Sequence, residues 1–566
     1  MFSFIEYPTI AFRGEKYISK NDKSRKSFDV IMVSGDAYVD HPSFPSAVVC
    51  RLLQHLGLSV AIIAQPDWNS DEDFKVWGEP NMFFAIAPGA MDSMVANYTS
   101  ASMPRSKDRL SPDGQPGLRP KRALQVYIQK IHQLFKNSMI IAGGVEGSMR
   151  RFSHYDYWEN KVKDPVLMDA PANLLIYGMA EAVYPKVIDW LKNGKKDVFP
   201  QIPQTVIKVK HDSWRDTLKD NFKLLPDIET CRKDKAVFME LSKVLDTCLK
   251  PNAEILIQQH VKGDILCFPP TAEMFDEEID MMDRLKFNRR SHPIYKKPIP
   301  GLEPVQFSVQ SHRGCLSACS FCALSLHQGR IIRSRSKESI LAEIASFVDH
   351  PDFKGIVPDV GGPAVNMYGW ECAAGGCNRR MCVHPSICKN LRHSLKPLAE
   401  VLKAAVKIKG VRKVFLGSGL RYDLIRDDEW DVFEYIIFNH ISGQLKVAPE
   451  HFDKRVLTLM RKGANADFAA FAKKFYDSCD RHHKKLFLVP YLMTAFPGSQ
   501  EGDKKLIKTV KELHLVHEQI QEFTPTPGSM GSAMFYTETD FDGKSVWVPK
   551  TRTARMSTRN KLQSRS

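Results

Sequence analysis

At 566 residues the chain is too long for a single hydrophobic core and calls for roughly three to four domains. Its 43% hydrophobic and 26% charged content describes an ordinary soluble protein rather than a disordered or membrane one. No apolar run approaches the roughly 20 residues that span a bilayer, and Met1 to Glu6 lacks the basic-then-apolar pattern of a signal peptide, so no membrane role and a cytoplasmic address are expected. The net charge of +15 is densest in two blocks, Arg105–Arg122 and Lys550–Ser566. The second carries Lys550, Arg552, Arg555, Arg559, Lys561 and Arg565 without an acidic residue. Such a tail reads as a solvated, disordered end, the alternative being a contact for RNA or another polyanion.

In chain order, strand-like and helix-like segments alternate over residues 1–210. Val30–Val33 runs into Ser34-Gly35-Asp36, a helix is expected over Pro45–Leu56, and Val60–Ala64 follows as a strand. Met139–Ala142 leads into Gly143-Gly144, and Leu174–Tyr177 precedes a helix from about Ala180 to Lys192. This alternation predicts a doubly wound, Rossmann-like α/β domain. Residues 211–304 read as a helical linker or lid ending in a proline-containing stretch. From 305 to 530 the alternation resumes, with strands near Gln306–Gln310, Gly355–Val360, Lys413–Leu416, Gln444–Val447, Leu486–Leu492 and Gln521–Phe523. Six such units make a partial (β/α)6 barrel with reactive groups at the carboxyl ends of its strands. Residues 531–566 are left as a short basic C-terminal tail.

Of the 12 cysteines, seven lie between positions 315 and 388, a clustering that favours metal or iron–sulfur binding over disulfides in a reducing compartment. Cys315-Leu-Ser-Ala-Cys319-Ser-Phe-Cys322 follows the first strand of the second domain. Three thiolates on one loop can serve three irons of a 4Fe-4S cluster and leave the fourth iron open to a chelating molecule. The amino and carboxylate groups of S-adenosylmethionine (SAM) suit that iron, and one-electron reduction then yields a 5′-deoxyadenosyl radical. A zinc site would need a fourth ligand, with His312 or His327 as candidates, and fits a compact triplet poorly. Cys372, Cys377, Cys382 and Cys388 form a candidate second site for an auxiliary iron–sulfur cluster or a structural zinc, with free thiols as the remaining reading.

These motifs, with Ser34-Gly35-Asp36-Ala37-Tyr38-Val39-Asp40-His41-Pro42-Ser43-Phe44, Gly143-Gly144-Val145-Glu146, His154-Tyr155-Asp156-Tyr157-Trp158 and Gly329-Arg330-Ile331-Ile332, resemble the YgiQ family of radical SAM proteins from about residue 28 to residue 550. The resemblance implies a radical SAM barrel in which Gly361-Gly362-Pro363 holds the SAM amino group by its backbone. It also implies SAM contacts from Ser418 and Arg421 after the third strand and from Glu450 after the fourth. The Glu450 turn looks like that of radical SAM enzymes acting on tRNA, so RNA is a candidate partner. The substrate stays unknown, and an external one-electron donor such as flavodoxin or ferredoxin is implied. A Rossmann-like domain ahead of the barrel also resembles cobalamin-dependent members. Cobalamin is nevertheless not expected, because Asp40-His41 is followed by Pro42-Ser43-Phe44 rather than by a DxHxxG pattern. Asp36, Asp40, His41, Glu146, His154 and Asp156 could instead line a substrate pocket or merely satisfy turns. Two further classes stay open: an iron–sulfur binding or redox protein that does not turn over SAM, and a zinc-only nucleic-acid-binding protein.

Overall fold

The computed structural model describes residues 3–194, 199–218, 221–247, 250–375, 381–463, 467–513, 515 and 520–563. The chain divides into two compact units, Ser3–Gln306 and a second from Phe307 onward.

In the N-terminal unit, strands β1 (Thr9–Phe12), β2 (Glu15–Tyr17), β3 (Val30–Ser34), β4 (Val60–Ala64), β5 (Phe83–Ala87), β6 (Ile140–Ala142), β7 (Leu174–Ile176) and β8 (Thr205–Val209) enter one sheet. Strands β9 (Phe222–Leu225), β10 (Ile255–His260) and β11 (Gly263–Cys267) complete it at 11 strands, in the order β9-β10-β11-β8-β7-β6-β5-β3-β4-β1-β2. From β7 to β1 every pairing is parallel. All five residues of β3, β4 and β5 are buried, as continuous apolar strands covered on both faces should be. Helices α1 (Pro45–His55) and α2 (Ala123–Leu134) connect parallel strands, α3 (Val183–Lys192) leads from β7 to the antiparallel β8, and all three turn apolar faces inward. The helical linker expected over 211–304 is corrected here. Its middle supplies β9, β10 and β11, because Ile255–His260 and Gly263–Cys267 flank a two-residue turn and pair antiparallel.

The C-terminal unit contains β12 (Val309–Gln310), β13 (Ile356–Val357), β14 (Val360–Gly361), β15 (Lys413–Val414), β16 (Gln444–Glu450), β17 (Phe487–Thr494) and β18 (Ile520–Glu522). The second predicted strand is split. Its β14 half pairs parallel with β12 and its β13 half parallel with β15. Leu420 bridges Val447 of β16 in parallel, and β16, β17 and β18 pair parallel in sequence order. The succession is the expected partial barrel. Helices α4 (Lys337–Phe347), α5 (Lys396–Ala405), α6 (Trp430–His440), α7 (Lys454–Met460), α8 (Phe468–Arg481) and α9 (Gly502–Glu512) occupy the connections. Buried Ile340, Leu402, Phe433, Phe475 and Leu506 carry their apolar faces into one core with the strands.

The basic tail is a second correction. After α10 (Met530–Thr537), residues Arg552–Gln563 form α11, and two of its cations, Arg555 and Arg559, are engaged with the fold while Arg552 and Lys561 are exposed. Arg555 is buried and donates to the Phe523 carbonyl, Arg559 lies 3.3 Å from Glu522, and Thr558 donates to Asp503 at 2.6 Å. Leu562 joins the barrel core. Among the described residues no helix is long and apolar enough to cross a membrane.

Candidate functional site

The three-cysteine loop leaves the barrel just after β12 and enters a short helix, Leu324–Gln328. Gly314 opens it at φ +84°, where an added methyl would overlap the Ile331 carbonyl. Cys315 N–H donates to Gly329 and Cys322 N–H to Cys319, which curls the loop on itself. Ser320 pins its middle: the hydroxyl donates to the Leu459 carbonyl at 2.6 Å and the N–H to the Met460 carbonyl at 3.1 Å. The Ser320 carbonyl in turn accepts from Gly531 N–H at 2.6 Å.

Cys315, Cys319 and Cys322 are all half-buried. Burial pushes the Cys319 thiol up against the opposing pull of Lys462 and Arg421. The Cys322 thiol is pushed up to about 12, first by burial and then by Cys319 and Cys315, while the Leu324 N–H, 3.4 Å from its sulfur, acts the other way. Crowded thiols such as Cys319 and Cys322, which resist losing their protons, suit replacement of those protons by metal cations. Among the described residues, no three His, Cys, Asp or Glu side chains converge on a single ion position. A cubane cluster does not require such convergence, since each thiolate binds a different iron.

Arg421 stands differently from its sequence expectation. Its guanidinium forks onto Asp423, with Nε to Oδ1 at 2.7 Å and Nη2 to Oδ2 at 2.5 Å. Nη1 donates to Ser317 Oγ at 2.6 Å and lies 3.9 Å from Cys319 Sγ. Asn366 exchanges two hydrogen bonds with the Arg421 backbone. Arg421 therefore braces the cysteine loop and keeps little donor capacity for SAM.

Gly361 and Gly362 sit where β14 ends. An added methyl would strike Ser418 and Asp359 from the first and the His312 ring from the second, so the backbone approaches these groups as closely as glycine allows. The Gly361 carbonyl is occupied by Ser311. Ser418 donates its hydroxyl to Asp359 at 2.5 Å, and Asp359 also accepts from the Gly417 and Ser418 N–H groups, so Asp359 shapes the turn. Glu450 ends β16 at φ +64°, after a register irregularity following Val447. Such bulges re-aim side chains near functional sites. Burial raises the Glu450 carboxyl above its ordinary range despite the Lys462 and Arg421 cations, and the Lys462 amine lies 3.7 Å away. Pro363 belongs to the same strand-end segment as Gly361 and Gly362, ahead of the short 3-10 helix Val365–Met367.

In the second cysteine group, Cys372 lies in a two-residue strand paired with Leu391–Arg392, and Cys388 N–H donates to the Cys382 carbonyl at 2.7 Å. Cys382, Cys388 and Cys315 pack against one small apolar cluster that includes Leu316 and Trp370. Cys377 lies outside the described residues.

The polar strand-end residues of the N-terminal unit are engaged with one another. Asp36 and Asp108 flank Arg119 at 2.8 and 2.7 Å, and Asp40 accepts from Arg51 Nε at 2.9 Å. Glu146 accepts from Ser93, and Asp156 from Arg122. His154 meets the Phe152 carbonyl at 3.0 Å. His41 accepts from Ser43 N–H at Nδ1, and its Nε2 faces Arg289 Nη1 at 3.0 Å, which occupies both ring nitrogens. The turn-satisfying reading of these residues prevails.

Residues 18–308 match a family model described as radical SAM N-terminal. A UPF0313 protein of Clostridium botulinum strain 657 is 42% identical, over 96% of this chain and 87% of its own length. The chain belongs to the UPF0313 family. This is the YgiQ family of radical SAM proteins, and a UPF0313 member from Methanocella arvoryzae is 41% identical over 92% of this chain and 88% of its own. Among solved structures, the radical SAM methyltransferase TsrM from Kitasatospora setae superposes with a TM-score of 0.52 at 12% identity, covering 89% of this chain and 75% of that one. It was solved with tryptophan and a SAM analogue, and again with cobalamin and a [4Fe-4S] cluster. At that identity the likeness establishes the fold of this UPF0313 protein and nothing finer.

The helpers that sequence reading missed are Asp359, Asn366, Asp423 and Lys462. Each acts on a residue that the motifs do mark. The Arg421-x-Asp423 spacing and the Asp359 two residues before Gly361 were the available signals.

Proposed function

We propose that this UPF0313 protein is a radical SAM enzyme whose Cys315, Cys319 and Cys322 hold a 4Fe-4S cluster. The observation that carries this reading is the Ser320-pinned loop, which gathers three half-buried thiols beside the Arg421 and Lys462 cations at the carboxyl end of a barrel strand. When bound, the reduced cluster supplies one electron to the SAM sulfonium and so yields methionine and a 5′-deoxyadenosyl radical. The chain's own residues do the positioning. Arg421 steadies the loop through Ser317 and offsets thiolate charge at Cys319. Asp359 fixes the Gly417-Ser418 turn. Gly361 and Gly362 offer bare backbone, and Glu450 offers a buried carboxyl to the polar end or ribose of SAM. Cys372, Cys377, Cys382 and Cys388 stand as a second metal site.

The test is anaerobic iron–sulfur reconstitution, dithionite reduction with SAM, and detection of 5′-deoxyadenosine. Product from wild type and none from the triple Cys315, Cys319, Cys322→Ala variant is expected. A folded wild type that takes up no iron would refute the proposal, and iron without SAM cleavage under dithionite reduction would favour a redox or binding role. The occupied ring of His41 supports the expectation that cobalamin is not used, whereas the TsrM fold weighs against it. Adding cobalamin during reconstitution and recording its absorption on the purified protein decides that point.

A further inference from the structure

The parallel part of the N-terminal sheet has its topological switch between β3 and β5. The chain passes from β3 to β4 on one side and then to β5 on the other. Ligands of doubly wound folds bind outside the carboxyl ends of the strands at such a point. Here the crevice itself is plugged. Gly35 closes on the Pro88 carbonyl, Gly89 on the Asp36 carboxyl, and Arg119 seals the place between Asp36 and Asp108.

Above the plug lies a cavity of about 590 Å³, with Asp108 and Arg119 in its lining. That volume lies within the usual range of small-molecule sites. Trp68, from the turn after β4, and Tyr98, after β5, supply aromatic walls, and Arg105 and Lys121 belong to the first of the two basic blocks. Arg119 is neutralised by its two aspartates, but Arg105 donates from Nε only to the Val95 and Tyr98 carbonyls. The Lys121 amine stands 5.1 Å above the Tyr98 ring. Among the described residues neither cation has a carboxylate partner.

We propose that this cavity binds a nucleotide, its base on the Trp68 and Tyr98 walls and its phosphate on Arg105 and Lys121, whether free or as one unit of single-stranded RNA. Aromatic platforms beside unneutralised cations are how proteins hold single nucleotides and unpaired strands. The sulfonium of SAM would meet like charge there, so this is not a second SAM site. The proposal stands apart from the iron–sulfur reading and survives its failure.

The experiment is calorimetric titration of the full chain with AMP, adenosine, inorganic phosphate and a short oligouridylate. Wild type is compared with Arg105→Ala/Lys121→Ala and with Trp68→Leu. AMP binding that phosphate competes, that adenosine does not reproduce, and that the double variant weakens by about tenfold or more would support the site. Tighter binding of the oligouridylate with a steep salt dependence would assign the nucleotide to RNA, and equal or weaker binding to a free nucleotide. The double variant should keep the wild-type melting temperature, since Arg105 and Lys121 are exposed. Absence of binding by both AMP and oligouridylate, or binding untouched in both variants, would overturn the proposal.

Discussion

Two buried arginines show how differently the two units use the same chemistry. Arg119 in the N-terminal unit is flanked by two aspartates, so its charge is consumed within the fold. Arg421 in the C-terminal unit has one aspartate and spends the remaining amino group on Ser317 and Cys319. A guanidinium with two acidic neighbours is a structural plug, and one with a single acidic neighbour keeps charge for a thiolate. The difference teaches that a polar strand-end residue gains functional meaning when its partners leave part of it unsatisfied.

The sharpest way to break this comparison is to remove each arginine. Arg119→Met strands two buried carboxylates and should cost about 3–5 kcal/mol in urea unfolding, while iron bound per folded molecule stays at the wild-type level. Iron loss in that variant would erase the distinction. Arg421→Lys loses the fork onto Asp423 and should cost about 2 kcal/mol, with lower iron retention after reconstitution and gel filtration. Full retention would mean that Arg421 serves the fold alone. Gly362→Ala forces a methyl into the buried His312 ring and should cost roughly 1–3 kcal/mol by the same assay, together with weaker SAM binding by equilibrium dialysis.

A smaller effect sharpens the picture of the buried interior of the N-terminal unit, where His154 and His292 are held neutral. Burial lowers His292 to about 3 and His154 to about 4, so both are uncharged in the fold, whereas the unfolded chain titrates them near 6.5. The unfolded state then binds more protons in that window. Stability present above pH 6.5 is therefore lost as pH falls toward 4. Melting temperatures across the range should fall toward acid, and His292→Phe should flatten the slope, since the ring is packed among Tyr7, Tyr17 and Tyr38. An unchanged slope would show that other groups govern the acid limb. The least effect is expected on α11, where Arg559→Ala should cost about 0.5–1 kcal/mol for a half-exposed pair.

Much of the architecture was legible because parallel strands buried on both faces write themselves as unbroken apolar runs, as Val30–Val33 and Val60–Ala64 do. The hairpin of Ile255–His260 and Gly263–Cys267 writes only three-residue apolar runs, Ile255–Ile257 and Ile265–Cys267, beside polar residues, and was overshadowed by the helix before it. Helix α11 was hidden for another reason. Its composition is that of a solvated segment, and docking rests on Arg555 and Leu562 finding partners far away in sequence. At the candidate site, spacing alone marked the three cysteines. Asn366 left no mark, and Asp359 and Asp423 left only a short spacing to Gly361 and Arg421, because each works through a neighbour's backbone or guanidinium and a single sequence does not record that pairing.

The clamp on Ser320 also sets an order of events during synthesis. Two of its fasteners, the carbonyls of Leu459 and Met460, and the third, the Gly531 N–H, are made long after the cysteines themselves. At roughly 5–20 residues per second, the ribosome needs roughly 10–40 s to travel from Ser320 to Gly531. Until Leu459 and Met460 are made the loop has none of these fasteners, and the third follows only with Gly531. The chain therefore closes this loop late, when nearly all of the barrel has left the ribosome.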